Sequence, residues 1–246
     1  MRKAPGGIAT NDLVFSAYVG TNDDLFPHVL SLYVPEGATV ADTTHGRGVF
    51  WRQVPEGRYK LLATDFMHGV DARKLPYEDG SIDCVVFDPP YMHTPGGTAH
   101  EGHQNFEAYY RNNATEGDVA KYHDAVLELY FAAGREAVRV LRPDDGIYIV
   151  KCQDEVCANV QRLTHVEIIN QFSKEHGLVC EDLFVLLMRG RPGVSRMLRQ
   201  RHARRNHSYF LVFRKRLGAA RWKGVPGPAL EPDLTVDDFA ALAGEG

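Results

Sequence analysis

Cysteine is scarce in this 246-residue chain: four residues, Cys84, Cys152, Cys157 and Cys180, of which only Cys152 and Cys157 lie close together. That number and scatter exclude a disulfide scaffold and leave no second pair for a zinc site, so the thiols are expected to be reduced and structural. Long apolar runs are missing as well. Those at 183–188 and 209–213 fall far short of the roughly 20 residues a bilayer crossing needs, which excludes a membrane-spanning helix. No basic leader with a continuous apolar segment precedes the first polar cluster, so the expectation is no cleavable secretion signal and a cytoplasmic location. Acids are absent from one stretch. Of the 28 Lys and Arg, ten fall between Arg189 and Arg216, where there is no Asp or Glu, and the other 18 share the rest of the chain with all 32 acids. The formal net charge of −4 therefore averages a basic face with an acidic body.

What is present has the composition of a globular protein, 44% hydrophobic and 24% charged. After an irregular start, the hydrophobic pattern alternates helices and strands, the mark of an α/β protein with a mostly parallel sheet covered on both sides. A helix is predicted at 21–33, with Asp23 and Asp24 in its first turn. Strands are predicted at 38–42, 60–65, 82–87 and 147–150. The first runs into a turn-rich segment, Thr43 to Gly48, after which Pro55 closes any helix early; the third is ended by Pro89 and Pro90. Residues 93–117 are polar, contain glycines and lack a period, so they read as a long loop of the kind tied to function or disorder, here placed next to the Asp-Pro-Pro-Tyr as a candidate active-site and target loop. Helices are predicted at 118–141 and 155–176, and an antiparallel strand pair at 180–188 and 208–214 flanks the basic segment. One domain thus extends to residue 216, followed by a tail at 217–246 rich in Gly, Pro and Ala; no internal repeat is present.

An open parallel sheet binds its ligand outside the carboxyl ends of its strands, near the point where strand order reverses. Asp42, Asp65 and Asp88 end three successive predicted strands, and Asp71 lies between the second and third. Gly46 and Gly48 permit a tight turn and a close backbone approach, although a Gly-x-Gly can also be only a turn. There is no Gly-Lys-Ser/Thr ending and no third spaced glycine, which disfavours a pyrophosphate ligand. An acid in the position of Asp65 suits ribose hydroxyls. Asp88-Pro89-Pro90-Tyr91 is more informative: a stiff turn places a carboxylate beside a carbonyl and an aromatic ring. A planar base could stack on Tyr91 while its amine donates to Asp88 and to the Pro89 carbonyl, aiming the nitrogen lone pair at an electrophile. His93, His100 and His103 have no accompanying cysteine or acidic cluster, so no metal site is expected. Lys151 and Tyr18 could approach the pocket, but the expectation is a buried lysine stem and a packed tyrosine.

VVFDPPY at 85–91 resembles the catalytic motif of the S-adenosylmethionine-dependent amino-methyltransferases, which methylate exocyclic amines of adenine or cytosine. DTTHGRGVF at 42–50 resembles their glycine-containing cofactor loop, with Thr44-His45-Gly46-Arg47-Gly48 where Phe-x-Gly-x-Gly is usual, and 69–88 resembles their approach to the catalytic strand. The resemblance runs from about residue 20 to residue 151, and more loosely over 207–215. It implies a Rossmann-like class I methyltransferase fold: a mostly parallel seven-stranded sheet with a terminal antiparallel hairpin and helices on both faces. S-adenosyl-L-methionine would be the cofactor, met by Asp42, Thr43, Thr44, Gly46, Gly48, Asp65, Phe66, Asp71 and Ala72. The target base would be held by Asp88, Pro89, Pro90 and Tyr91. An Asp at the first motif position favours adenine N6 over cytosine N4.

A duplex must surrender its base to such a pocket by flipping it out. Arg189, Arg191, Arg196, Arg199, Arg201, Arg204 and Arg205, with His202 and His207, form the candidate nucleic-acid-binding segment at 189–207. The reading is a DNA adenine-N6 methyltransferase, with an RNA base or cytosine N4 as alternative targets and a homodimer as a further partnership. A non-catalytic nucleic-acid-binding subunit is the alternative of another class, disfavoured by the intact tetrapeptide.

Overall fold

The computed structural model describes residues 13–92, 120–189 and 199–216. Nine strands and three α-helices are formed by these residues. β1 (Ala17–Gly20), which the sequence pattern leaves as irregular start, is followed by α1 (Asn22–Tyr33), β2 (Thr39–Asp42), β3 (Lys60–Ala63) and β4 (Cys84–Phe87). Next come α2 (Tyr122–Val140), β5 (Ile147–Cys152), the short strands β6 (Glu155–Cys157) and β7 (Val160–Arg162), α3 (Thr164–Glu175), β8 (Leu178–Met188) and β9 (His207–Lys215). No helix among the described residues is long and apolar enough to cross a membrane.

Seven strands make one sheet in the order β1-β8-β9-β5-β4-β2-β3. All neighbours are parallel except β9, which runs antiparallel to both β5 and β8. This is a Rossmann-like, mostly parallel seven-stranded sheet with helices on both faces, its antiparallel hairpin formed by β8 and β9. β4 and β5 are buried along their whole length, which is why they read as unbroken apolar runs rather than alternating ones. On one face, Val40, Cys84, Val86, Ile147, Ile149, Phe210 and Val212 pack with Leu25, Phe26, Val29 and Leu30 of α1. On the other, Ala41, Val85, Phe87, Tyr148, Val150, Leu211 and Phe213 pack with α2 and α3. Gly134 of α2 makes the second contact close, because a Cβ there would lie 2.5 Å from the Phe172 ring of α3.

The pattern of 155–176 predicts one helix, and the structure corrects it: β6 and β7 form a separate antiparallel hairpin and the helix begins at Thr164. Ala158 and Asn159 are both left-handed, with φ of 50° and 62°, the backbone a two-residue hairpin turn requires and a helix forbids. Asp154 then accepts the His165 backbone N–H at 3.3 Å, satisfying a donor in the first turn of α3. The helix predicted at 118–141 is described from Tyr122, and the predicted loop at 93–117 and tail at 217–246 lie outside the described residues. All four cysteines are free thiols.

Candidate functional site

From β2 the chain passes to β3 on one side of the sheet and then to β4 on the other, so strand order reverses at the carboxyl ends of β2 and β4. That crevice is built by polar groups tying the two ends together. The Thr43 backbone N–H and hydroxyl both donate to the Val86 carbonyl at 3.0 Å. The Thr44 hydroxyl accepts the Asp88 backbone N–H at 2.7 Å, and its own N–H donates to Asp42 Oδ1 at 3.1 Å. Asp42 is buried and spends its charge on this loop: Oδ2 accepts Trp51 Nε1 at 2.7 Å and faces His45 Nδ1 at 3.3 Å. That hydrogen bond raises the pKa of His45 against the opposing effect of its burial. Gly46 and Gly48 are both left-handed, with φ of 52° and 65°, which lets the loop turn back over the strand ends.

A cavity of about 440 Å³ opens beside the loop, lined by Thr44, Gly46, Arg47, Asp65, Phe66, Met67, His68, Asp88, Pro89 and Pro90. Its size is that of a small-molecule site. Of the residues expected to meet a cofactor, Thr44, Gly46, Asp65 and Phe66 line it; Asp42 and Thr43 are buried behind the loop, and Gly48, in its turn, does not line the cavity. Asp71 is clamped by Arg73, whose Nε and Nη2 donate at 3.0 and 2.7 Å, and Ala72 is buried in the core. Asp65 accepts the His68 backbone N–H at 2.9 Å and pairs with His68 Nδ1 at 2.8 Å. Burial pushes its pKa up, but these bonds outweigh it and keep the carboxyl below its ordinary value.

Across the cavity, Asp88 follows the end of β4. Its Oδ1 accepts the Tyr91 hydroxyl at 2.6 Å, and that hydroxyl accepts a hydrogen bond from Lys151 Nζ at 2.8 Å. Burial raises the pKa of Asp88, with the nearby Lys151 charge opposing it; burial lowers that of Lys151, with Asp88 opposing. Tyr91 is held well above its usual value by burial and then by the Asp88 charge. Sequence reasoning gave Lys151 a packing role; the signal for more was a lone cation inside the otherwise apolar run IYIVKC of β5.

The basic segment leaves the sheet at this same edge, because β8 runs parallel to β5 and ends at Met188. Arg189, Arg199, Arg201 and Arg204 are exposed; Arg205 and His207 are partly covered; Arg191 and Arg196 lie outside the described residues. Gln153 donates to the His207 carbonyl at 2.7 Å, and the His202 ring meets the Asn159 carbonyl at 3.0 Å, seating the segment on the β6–β7 hairpin. Among the described residues of the segment, none lines the cavity. His93, His100 and His103 lie outside the described residues, among which no His, Cys, Asp or Glu cluster is suited to a metal ion.

No family model matches the chain, and no curated protein does. Solved structures do. The PvuII DNA methyltransferase, cytosine-N4-specific, is 13% identical over 59% of this chain and 47% of its own, with a TM-score of 0.41. A candidate DNA modification methylase of Thermus thermophilus, complexed with S-adenosyl-L-methionine, is 17% identical over 82% of this chain and 65% of its own, at 0.39. The [4+2]-cyclase SpnF is 15% identical over 80% of this chain and 82% of its own, at 0.44. This chain thus spans less than two thirds of the first two proteins. Likeness of this order does not carry an activity across, since one fold hosts many chemistries.

Proposed function

We propose that this chain is an S-adenosyl-L-methionine-dependent amino-methyltransferase acting on a nucleic-acid base, with adenine N6 in DNA as its target. One observation supports this above the rest: Asp88, Pro89 and Pro90 line the same cavity as Gly46, Asp65 and Phe66, so the amine-holding corner and the glycine loop face one space. The residues present fit the cofactor. A Cβ on Gly46 would meet nothing nearer than the Thr44 carbonyl at 3.9 Å, which leaves its backbone open to a ligand. Asp65 offers an acceptor for ribose hydroxyls, and Phe66 and Met67 offer apolar surface to a purine.

The cofactor, when bound, supplies an electrophilic methyl group on a sulfonium. Asp88 and the Pro89 carbonyl accept the two hydrogens of the target amine, which draws the nitrogen lone pair out of conjugation and toward that methyl. On taking the methyl in place of one hydrogen, the amine would give up that proton toward Asp88, the acceptor beside it. No covalent bond to the protein is needed. Arginines leaving the same sheet edge would hold the backbone while the base is flipped.

The test is incorporation of labelled methyl from S-adenosyl-L-methionine into duplex DNA, RNA and free nucleosides, with base analysis of the product. Label in N6-methyladenine of DNA, lost by about 10²–10³-fold in Asp88→Ala, is the expected result. Label in RNA or at cytosine N4 would keep the chemistry and change the target. A folded Asp88→Ala protein with full activity, or a wild type without saturable cofactor affinity, would remove the proposal.

A further inference from the structure

Among the described residues, Lys151 is the only lysine or arginine that is buried, with 4% exposure on the central strand β5. An ammonium in that position is costly to desolvate unless it is partnered. Its Nζ has the faces of Phe210 and Tyr91 5.3 Å away and that of Phe50 at 6.0 Å, and it donates to one oxygen, the Tyr91 hydroxyl. The Tyr130 hydroxyl donates to the Lys151 carbonyl at 2.8 Å and fixes the residue from the α2 side. From Lys151 the hydrogen bonds run one way, Nζ to Tyr91 Oη to Asp88 Oδ1, at 2.8 and 2.6 Å. Among the described residues Oδ2 of Asp88 has no hydrogen-bond partner.

Resting on the amino-methyltransferase reading, we infer that Lys151 is a positioning residue: through the Tyr91 hydroxyl it holds Asp88 as an ionised acceptor and leaves Oδ2 to receive the target amine. A hydroxyl has one proton to give, and a cation behind the tyrosine oxygen polarises that proton toward the carboxylate. The other titratable groups around the chain are Asp42, Tyr130 and Cys152. Asp42 opposes a second negative charge at Asp88, and neither Tyr130 nor Cys152 supplies a positive one. Without Lys151 the partly buried carboxyl would bind a proton more readily, and that proton would put a donor on one oxygen. A protonated carboxyl cannot use that oxygen to accept an amine hydrogen.

The experiment uses the full chain as wild type, Lys151→Met, Lys151→Arg and Tyr91→Phe. Carbon-13 aspartate NMR, with the Asp88 signal identified by its loss in Asp88→Asn, reads the Asp88 titration midpoint in the free protein. Lys151→Met is expected to raise the midpoint by about one pH unit or more, Tyr91→Phe by less, and Lys151→Arg to leave it near the wild type. In methyl transfer the acid limb of the rate profile should move upward with it: a loss of about tenfold per unit of midpoint shift on the acid limb, shrinking as pH rises past the variant's midpoint, with cofactor Kd within about twofold. A loss equal at all pH values, or an unchanged midpoint in Lys151→Met, overturns the role while wild-type transfer continues. If Lys151→Met does not fold, Tyr91→Phe decides, since it cuts the link and keeps the cation: an unmoved midpoint and acid limb overturn the role. No transfer by the wild type to any amine overturns the functional reading and this role with it.

Discussion

Thr44 joins the two halves of the site through a single oxygen. Its hydroxyl accepts the Asp88 backbone N–H, while its own N–H is held by Asp42, so the glycine loop and the acceptor corner share one hydrogen-bond chain. Thr44→Val keeps the shape and removes the acceptor, leaving the Asp88 N–H unsatisfied at a cost of about 1–3 kcal/mol. The expected outcome is a lower Tm and a fall in kcat larger than the change in cofactor Kd, with Thr44→Ser near wild type. Thermal melts beside steady-state kinetics check this, and a Thr44→Val protein with unchanged kcat would show that the corner holds its geometry without the loop. The sequence made the types at these positions legible: a carboxylate after each strand and glycines where the loop must turn. It could not show where each carboxylate points. Asp42 reads as a ligand contact, yet its neighbours Thr44, His45 and Trp51 supply donors within nine residues and turn it inward. Lys151 was hidden because its partner lies 60 residues away, beyond any local pattern.

At the scale of elements, what was legible depended on how local the deciding interactions are. α1 and the apolar strands follow from period and from the prolines that stop them. The β6–β7 hairpin does not, because Val156, Val160 and the apolar positions of α3 share one helical spacing until Ala158 and Asn159 adopt left-handed backbone. The hairpin is held down from outside. His123, near the start of α2 and 2% exposed, places Nδ1 2.6 Å from Glu155 of β6 and Nε2 2.6 Å from Glu167 of α3. Burial disfavours the imidazolium, but the bonds to the two glutamates outweigh it and raise its pKa above the ordinary value. A group whose pKa is raised by folding contributes fully below its unfolded value, about 6.5, and loses that contribution as pH rises through the folded value. His123→Gln is therefore expected to destabilise by about 2–4 kcal/mol at acid to neutral pH, the partly exposed Glu167 side reducing the effect. The deficit should shrink in alkali, where the wild type also faces two carboxylates with a neutral ring. Paired melts across pH read this, and a deficit that grew with pH would reverse the assignment.

Over the whole molecule, the sheet sorts chemistry by edge. The carboxyl ends of β2, β3 and β4 carry the cavity, and the chain between β8 and β9 emerges at that same edge with its arginines. Of the ten basic side chains between Arg189 and Arg216, Arg214 and Arg216 pair with Asp145 and Glu181 at the opposite edge of the sheet, so the surface proposed to attract a polyanion, against a net charge of −4, is narrowed to the run from Arg189 to Arg205. Binding through that face should release condensed counterions, and the logarithm of the affinity for duplex DNA should fall linearly with the logarithm of salt. Replacing Arg199, Arg201, Arg204 and Arg205 by Gln removes four candidate phosphate contacts, which is worth about 3 to 4 in the slope if each meets one phosphate. None of the four lines the cavity, so the affinity for S-adenosyl-L-methionine should stay within about twofold, because only a polyanion loses an attraction when these charges are removed. Anisotropy titrations of labelled duplex at several salt concentrations, beside cofactor titration, separate the cases. A slope unchanged by all four replacements would move the nucleic-acid surface elsewhere on the sheet edge. A slope that flattened together with a lost cofactor site would mean that the replacements had disturbed the fold rather than the contact.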